Sequence, residues 1–227
     1  MKRFLSVSHS LSCVAFLSVL LSLGVSEGAI YSRQDSDESA KTSRVILEWS
    51  PSYGTQVKNL AAALKGNTTL THLGIQSFGF MEKDIPLIVD ALAGNTILRS
   101  LSLDGRYIGD RGARALATFL KGNTTLTTLT LGFKRKNIFL NQDWLGNEGA
   151  KALANVLLKK NRTLTHLDLE GNYIGYEGAH ALAEALKKNP ILKSVSLRQN
   201  EITQKGREAI IAFLEDHVGK MLLGLGG

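Results

Sequence analysis

The eleven residues "KGNTTLTHLGI" at 65–75 return almost unchanged as "KGNTTLTTLTL" at 121–131. Self-copying of this kind restricts the fold more than any other feature of the chain, because a fixed period marks stacked, equivalent units. Asn67, Asn95 and Asn123 stand 28 residues apart; Asn161 follows after 38, and Asn189 after another 28. Apolar positions keep step with them: Leu70, Leu73, Ile75; Leu98, Leu101, Leu103; Leu126, Leu129, Leu131; Leu164, Leu167, Leu169; and Leu192, Val195, Leu197. Stepping back 28 from Leu73 and Ile75 reaches Val45 and Leu47. Six units are therefore expected, starting near residues 39, 67, 95, 123, 161 and 189.

Inside a unit the period changes. "THLDLEG" alternates apolar and polar as a strand does, with Leu167 and Leu169 on one face. The following stretch places Ala179, Leu182, Ala183 and Leu186 at i, i+3, i+4 and i+7, one helical stripe. Ala113, Leu116, Ala117, Leu120 and Ala150, Leu153, Ala154, Leu157 repeat it. Small alanines let each helix approach the strand layer, and a cationic Lys-Gly-Asn or Lys-Lys-Asn suits the helix end. One such unit cannot bury its stripe alone. Stacking predicts an α/β solenoid with a parallel sheet on one side and helices on the other.

The pattern reads Leu-x-x-Leu-x-Leu-x-x-Asn-x-Ile-Gly-x-x-Gly-Ala-x-x-Leu-Ala, clearest at 164–183. It resembles the leucine-rich repeat of the ribonuclease-inhibitor type over about residues 39–215. The resemblance implies a curved α/β horseshoe that binds proteins, without implying inhibition of ribonuclease. The family's Asn eight places after the first Leu is present at Asn172 and Asn200. Phe78, Arg106 and Lys134 occupy the equivalent earlier positions, so the N-terminal ladder must be built differently or be looser.

The segment before the repeats has another character. Lys2 and Arg3 precede the apolar run Leu11–Val25, and Ser26 and Gly28 suit a signal-peptidase cut after Gly28. Residues 1–28 are expected to be a signal peptide, 29–38 a polar linker and 216–227 a C-terminal tail; an uncleaved N-terminal anchor stays open. The expected destination is secreted or extracytoplasmic, with the cytoplasm as the alternative, and no membrane span is expected after cleavage. Cys13 is the sole cysteine. The mature chain thus has no disulfide, thiolate metal site or cysteine nucleophile. The net charge of +7 favours acidic partners, but it lacks the dense cationic clustering of a dedicated nucleic-acid binder.

Strand positions facing away from the core align in rows: Arg44, His72, Ser100, Thr128, His166, Ser194, and Ile46, Gly74, Ser102, Thr130, Asp168, Ser196. A third row reads Glu48, Gln76, Asp104, Gly132, Glu170, Arg198. The face is small and polar, without the aromatic anchors that binding hot spots favour. His72 and His166 fall three strands apart, roughly 14 Å at about 4.8 Å per strand, too far to share a metal. His166, Asp168 and Glu170 share a face, where a lateral Glu170–Arg198 ion pair is expected. No nucleophile elbow, P-loop or His-Glu-x-x-His occurs, so neither catalysis nor a cofactor is expected.

The exception is "GFKRKNIFLNQDWLG", residues 132–146, inserted between strand and helix of the fourth unit. It holds the cations Lys134, Arg135 and Lys136 and the aromatics Phe133, Phe139 and Trp144; Tyr107 and Tyr173 mark the same rim in neighbouring units. Long loops on rigid scaffolds carry function. A tolerated insertion whose aromatics pack down is the alternative. Asn67, Asn123 and Asn161 each open an Asn-x-Thr sequon, at a place where the repeat already demands Asn. The leading expectation is a non-catalytic module for a protein partner, an acidic one if the rim cations steer it. A regulator of a small GTPase (a Ran-type activating protein), an intracellular immune-type sensor fragment and an anion or glycan binder remain open. Oligomeric state is left undetermined.

Overall fold

The computed structural model describes residues 30–31, 44–49, 53–77, 82–103, 108–132, 144–214 and 223–224. Strands and helices alternate along the chain: β1 Ile30–Tyr31, β2 Arg44–Trp49, α1 Tyr53–Leu64, β3 His72–Ser77, α2 Ile85–Ala91, β4 Ser100–Leu103, α3 Gly109–Gly122 and β5 Thr128–Thr130. They continue as α4 Asn147–Lys159, β6 His166–Asp168, α5 Tyr176–Lys188, β7 Ser194–Ser196, α6 Gln204–Leu214 and β8 Leu223–Gly224. One eight-stranded sheet holds the strands in sequence order. β1 runs antiparallel to β2, and every later pair is parallel.

The leucine period fixes the register. Arg44, His72, Ser100, Thr128, His166 and Ser194 are successive partners across the sheet. Val45, Leu73, Leu101, Leu129, Leu167 and Val195 form the adjacent row, which is buried from Leu73 to Val195. The ladder then runs one strand past the expected end of the repeats, because Leu223, 28 residues after Val195, pairs beside it. The three leading apolar residues of the units at 67, 95, 123 and 161 are all buried, as are Leu192, Val195 and Leu197. They form a single core with the three predicted alanine–leucine stripes.

The α3/α4 and α4/α5 boundaries are bonded in both directions. The residues preceding α3, α4 and α5 supply no side-chain cap of their own. The preceding unit supplies it instead. Glu82 Oε1 accepts from Arg111 N at 2.7 Å, and Asp110 Oδ1 accepts from Gly146 N and Gly149 N, both at 2.8 Å. Asn147 Oδ1 accepts from Gly175 N at 2.8 Å and Gly178 N at 3.0 Å. These bonds satisfy first-turn donors that a helix leaves open, and the Asp110 charge suits the positive end of α4.

The C-termini of α3 and α4 are closed by the asparagine that follows the next helix. Asn161 Nδ2 donates to Leu120 O at 2.9 Å and Asn123 O at 3.2 Å, while Asn189 Nδ2 donates to Leu157 O and Asn161 O. Each Asn also turns its own chain: Asn161 Oδ1 accepts from Thr163 N and Leu164 N, and Asn189 Oδ1 from Ile191 N and Leu192 N. The twin phrases diverge at their glycines. Gly66 takes a left-handed φ of 77°, as a terminal glycine does, whereas Gly122 remains the last residue of α3.

Candidate functional site

The insertion leaves and rejoins the solenoid against the same neighbouring unit. Its first residue, Gly132, follows Leu131, whose N–H donates to Asp168 O at 2.7 Å. A Cβ on Gly132 would lie 3.0 Å from Asp168 Oδ1 and from the Glu170 backbone N and O. Only a glycine fits that approach without displacement. At the return, Tyr173 N donates to Leu145 O at 3.0 Å, and the Trp144 and Tyr173 rings meet with centroids 5.4 Å apart and planes tilted by 44°. Leu145 anchors this stem in the core, while Tyr173 remains 54% exposed.

Asp168, Glu170 and Tyr173 therefore belong to one boundary, with the insertion's two stems beside them. The sheet face and the rim, separate candidates in the sequence, meet here. Asp168 Oδ1 accepts from Glu170 N at 3.0 Å, a turn that fixes the carboxylate where β6 ends. Phe133, Lys134, Arg135, Lys136, Phe139 and Tyr107 lie outside the described residues, as do Phe78 and Arg106.

His166 stands farther along the concave face, exposed, between Thr128 and Ser194. Its Nδ1 lies 2.7 Å from Thr165 Oγ1, and that hydroxyl also reaches Thr127 O at 2.9 Å. A hydroxyl has one proton. With that proton on Thr127 O, His166 donates from Nδ1 and keeps Nε2 as an acceptor toward solvent. The three-strand separation from His72 holds, and no cluster of three metal-ligating side chains occurs among the described residues.

One expected contact is absent. Among the described residues the ion pairs are Lys151 with Glu148 and Glu177, and Lys188 with Glu184; Glu170 and Arg198 form none. Both sit in turns past the ends of β6 and β7, where strand register no longer aligns side chains. The Arg198 carbonyl instead accepts from Gly171 N and Asn200 Nδ2.

The asparagines at the rim do form a ladder. Asn172 Nδ2 donates to Leu131 O and Leu169 O, each at 3.0 Å, and Asn200 Nδ2 to Leu169 O and Leu197 O. Asn200 Oδ1 accepts from Ile174 N of the unit before. Among the described residues Asn172 Oδ1 is the buried side-chain atom without a hydrogen-bond partner, on the rung that bonds Leu131 O. The Asp110 and Asn147 caps escaped the sequence reading. Their signal was legible as Asp-Arg-Gly-Ala and Asn-Glu-Gly-Ala opening successive helices.

A family model described as "Leucine Rich repeat" matches residues 160–183 and 188–210. The structure of leiomodin-1 actin-binding site 2 superposes with a TM-score of 0.52 at 22% identity, covering 74% of this chain and 90% of that one. The fold is a leucine-rich-repeat solenoid. A Bacteroides fragilis protein is similar at 14% identity over 71% of this chain and 57% of its own, with a TM-score of 0.30. Within the leucine-rich-repeat solenoid, no helix among the described residues is long and apolar enough to cross a membrane.

Proposed function

We propose that the chain is a secreted, non-catalytic binding module, built on ribonuclease-inhibitor-type repeats, that takes an acidic protein partner at the insertion rim. Repeats of this class generally serve protein–protein interaction, and the superposed leiomodin-1 domain is described as an actin-binding site. The observation that carries the location is the Trp144–Tyr173 ring pair, which joins the return of the insertion to an exposed aromatic of the next unit. Aromatic side chains held rigidly at a rim supply contact area at low entropic cost. Lys134, Arg135 and Lys136 supply steering charge between the stems.

Binding kinetics test this reading, with actin as the first defined ligand titrated and an affinity-captured partner as the second. Lys134→Glu with Arg135→Glu should slow association and flatten its salt dependence. Trp144→Ala should raise the off-rate, at a cost of about 2 kcal/mol or more for a hot spot. Normal binding after deletion of 133–141, together with loss of binding in Asp168→Ala, would move the site to the concave face and refute the rim.

A further inference from the structure

The three Asn-x-Thr sequons share a sequence position but differ at the nitrogen that a glycan would occupy. Asn161 is 2% exposed, and both hydrogens of its Nδ2 are engaged across the unit boundary, by Leu120 O and Asn123 O. A sugar on that nitrogen would replace one of these hydrogens and fill the space between two packed units. Asn67 and Asn123 keep the same backbone turn through Oδ1, which accepts from Thr69 and Leu70 N–H and from Thr125 and Leu126 N–H. Among the described residues their Nδ2 atoms reach only the hydroxyl of their own sequon threonine, at 3.5 Å in each case.

Both asparagines are half-buried, and the residue before each is uncrowded among the described residues. A Cβ placed on the preceding residue, Gly66 or Gly122, would meet nothing within 4 Å. Asn123 also lines an open groove of about 480 Å³ between α2 and α3, beside Pro86, Val89 and Phe119. The boundary bond that Asn123 leaves unmade is replaced by Thr125 Oγ1, which lies 3.1 Å from Leu98 O and 3.5 Å from Asn95 O. A substituent on Asn123 Nδ2 therefore breaks no bond between units.

We infer that Asn67 and Asn123 are N-glycan acceptors and that Asn161 is excluded by the fold. The inference rests on the secreted reading, since the donor, a polyisoprenyl-pyrophosphate-linked oligosaccharide, belongs to a glycosylating secretory route. Transfer forms a bond from Nδ2 to the anomeric carbon of the donor; one Nδ2 proton is lost and the polyisoprenyl pyrophosphate departs. The oxygen that caps the turn is untouched.

The test replaces residues 1–28 with an established secretory leader in a eukaryotic host, so that failure of the native leader does not affect the outcome. Exported, cooperatively melting protein is mapped by mass spectrometry after enzymatic deglycosylation in ¹⁸O-water. Label is expected at positions 67 and 123 and not at 161. Thr69→Ala and Thr125→Ala should each remove one glycan from the gel mobility, and Thr163→Ala none. Retention of the parent chain with export of Thr163→Ala would mean that Asn161 accepts a glycan before it folds, and would overturn its exclusion. A glycan on Asn161 in the exported protein, bare Asn67 and Asn123, or retention of both chains overturns the inference.

Discussion

Asn189 donates from its side-chain nitrogen to the backbone oxygen of Asn161, 3.0 Å away and one repeat earlier in the chain. The same nitrogen bonds Leu157 O, and the side-chain oxygen takes the N–H groups of Ile191 and Leu192. Asn189 is 3% exposed, so water cannot readily replace these bonds. Asn189→Ala should cost at least about 2 kcal/mol, given 1–3 kcal/mol for each buried group left unpaired. Urea denaturation measures it; a loss below roughly 0.5 kcal/mol would mean that the rung contributes nothing.

Leu182 lies on the inward stripe of α5 and is fully buried. Leu182→Ala should destabilise by about 2–5 kcal/mol, the range for a leucine cavity in a packed core. The same denaturation series reads it out, and a near-neutral result would contradict the burial.

Two glycine-to-alanine changes should act with opposite sign. On Gly178 a Cβ would meet Ala150 Cβ, Asn147 Oδ1 and Ile174 Cγ2, each at 2.9 Å. Gly178→Ala should lose about 1–3 kcal/mol by overpacking. On Gly122 the Cβ faces open space within a helix, so Gly122→Ala should gain about 0.4–1 kcal/mol. Equal shifts in melting temperature would rule out this account of the unit boundary.

The surface charges predict a shallow pH plateau. The Lys151 hydrogen bond holds the Glu177 carboxyl below its ordinary value of 4.5, and Glu177, then Glu148, raise Lys151 above 10.5. A lowered carboxylate stabilises the fold above its unfolded value and loses that effect as pH falls through its folded value. A raised ammonium stabilises below its unfolded value and loses that effect as pH rises through its folded value. Glu177→Gln should therefore melt slightly below the parent between these limits, and the two curves should converge in acid. Both groups are solvent-screened, so the gap should be small and should shrink further with salt.

The leader makes a prediction independent of the fold. The basic start, the apolar run Leu11–Val25 and the small residues near Gly28 predict an exported chain beginning between residues 27 and 30. Intact-mass measurement decides it. A soluble product retaining Met1 would refute export.

Sheet register was legible residue by residue, because a leucine shifted by one position would point to the wrong face. The three alanine–leucine stripes were legible for the same reason at a helical period. The Asp110 and Asn147 caps were missed although Asp-Arg-Gly-Ala and Asn-Glu-Gly-Ala mark them, since each side chain acts on a helix 36 to 39 or 28 to 31 residues later rather than on its own element. The Glu170–Arg198 pair failed because strand equivalence was carried into turns that do not preserve it. At the rim, composition marked the insertion, but only coordinates join Gly132 to Asp168 and Trp144 to Tyr173. Leu223 and Gly224 were hidden in "VGKMLLGLGG", whose glycines obscure the period.

Because Asp110 and Asn147 reach forward while Asn161 and Asn189 reach back, the repeats of this region are not interchangeable beads. Removing the unit that opens at Asn189 would take a donor from Leu157 O at the end of α4, and removing the α4 unit would leave the Gly175 and Gly178 amides of α5 open. An end unit cannot fray without damaging the one that remains. Coupling between neighbours then outweighs the stability of any single turn, the condition under which a linear array melts in one step rather than peeling from its ends. The smallest fragment able to fold is set by how many such boundaries it retains, not by how many leucines it contains.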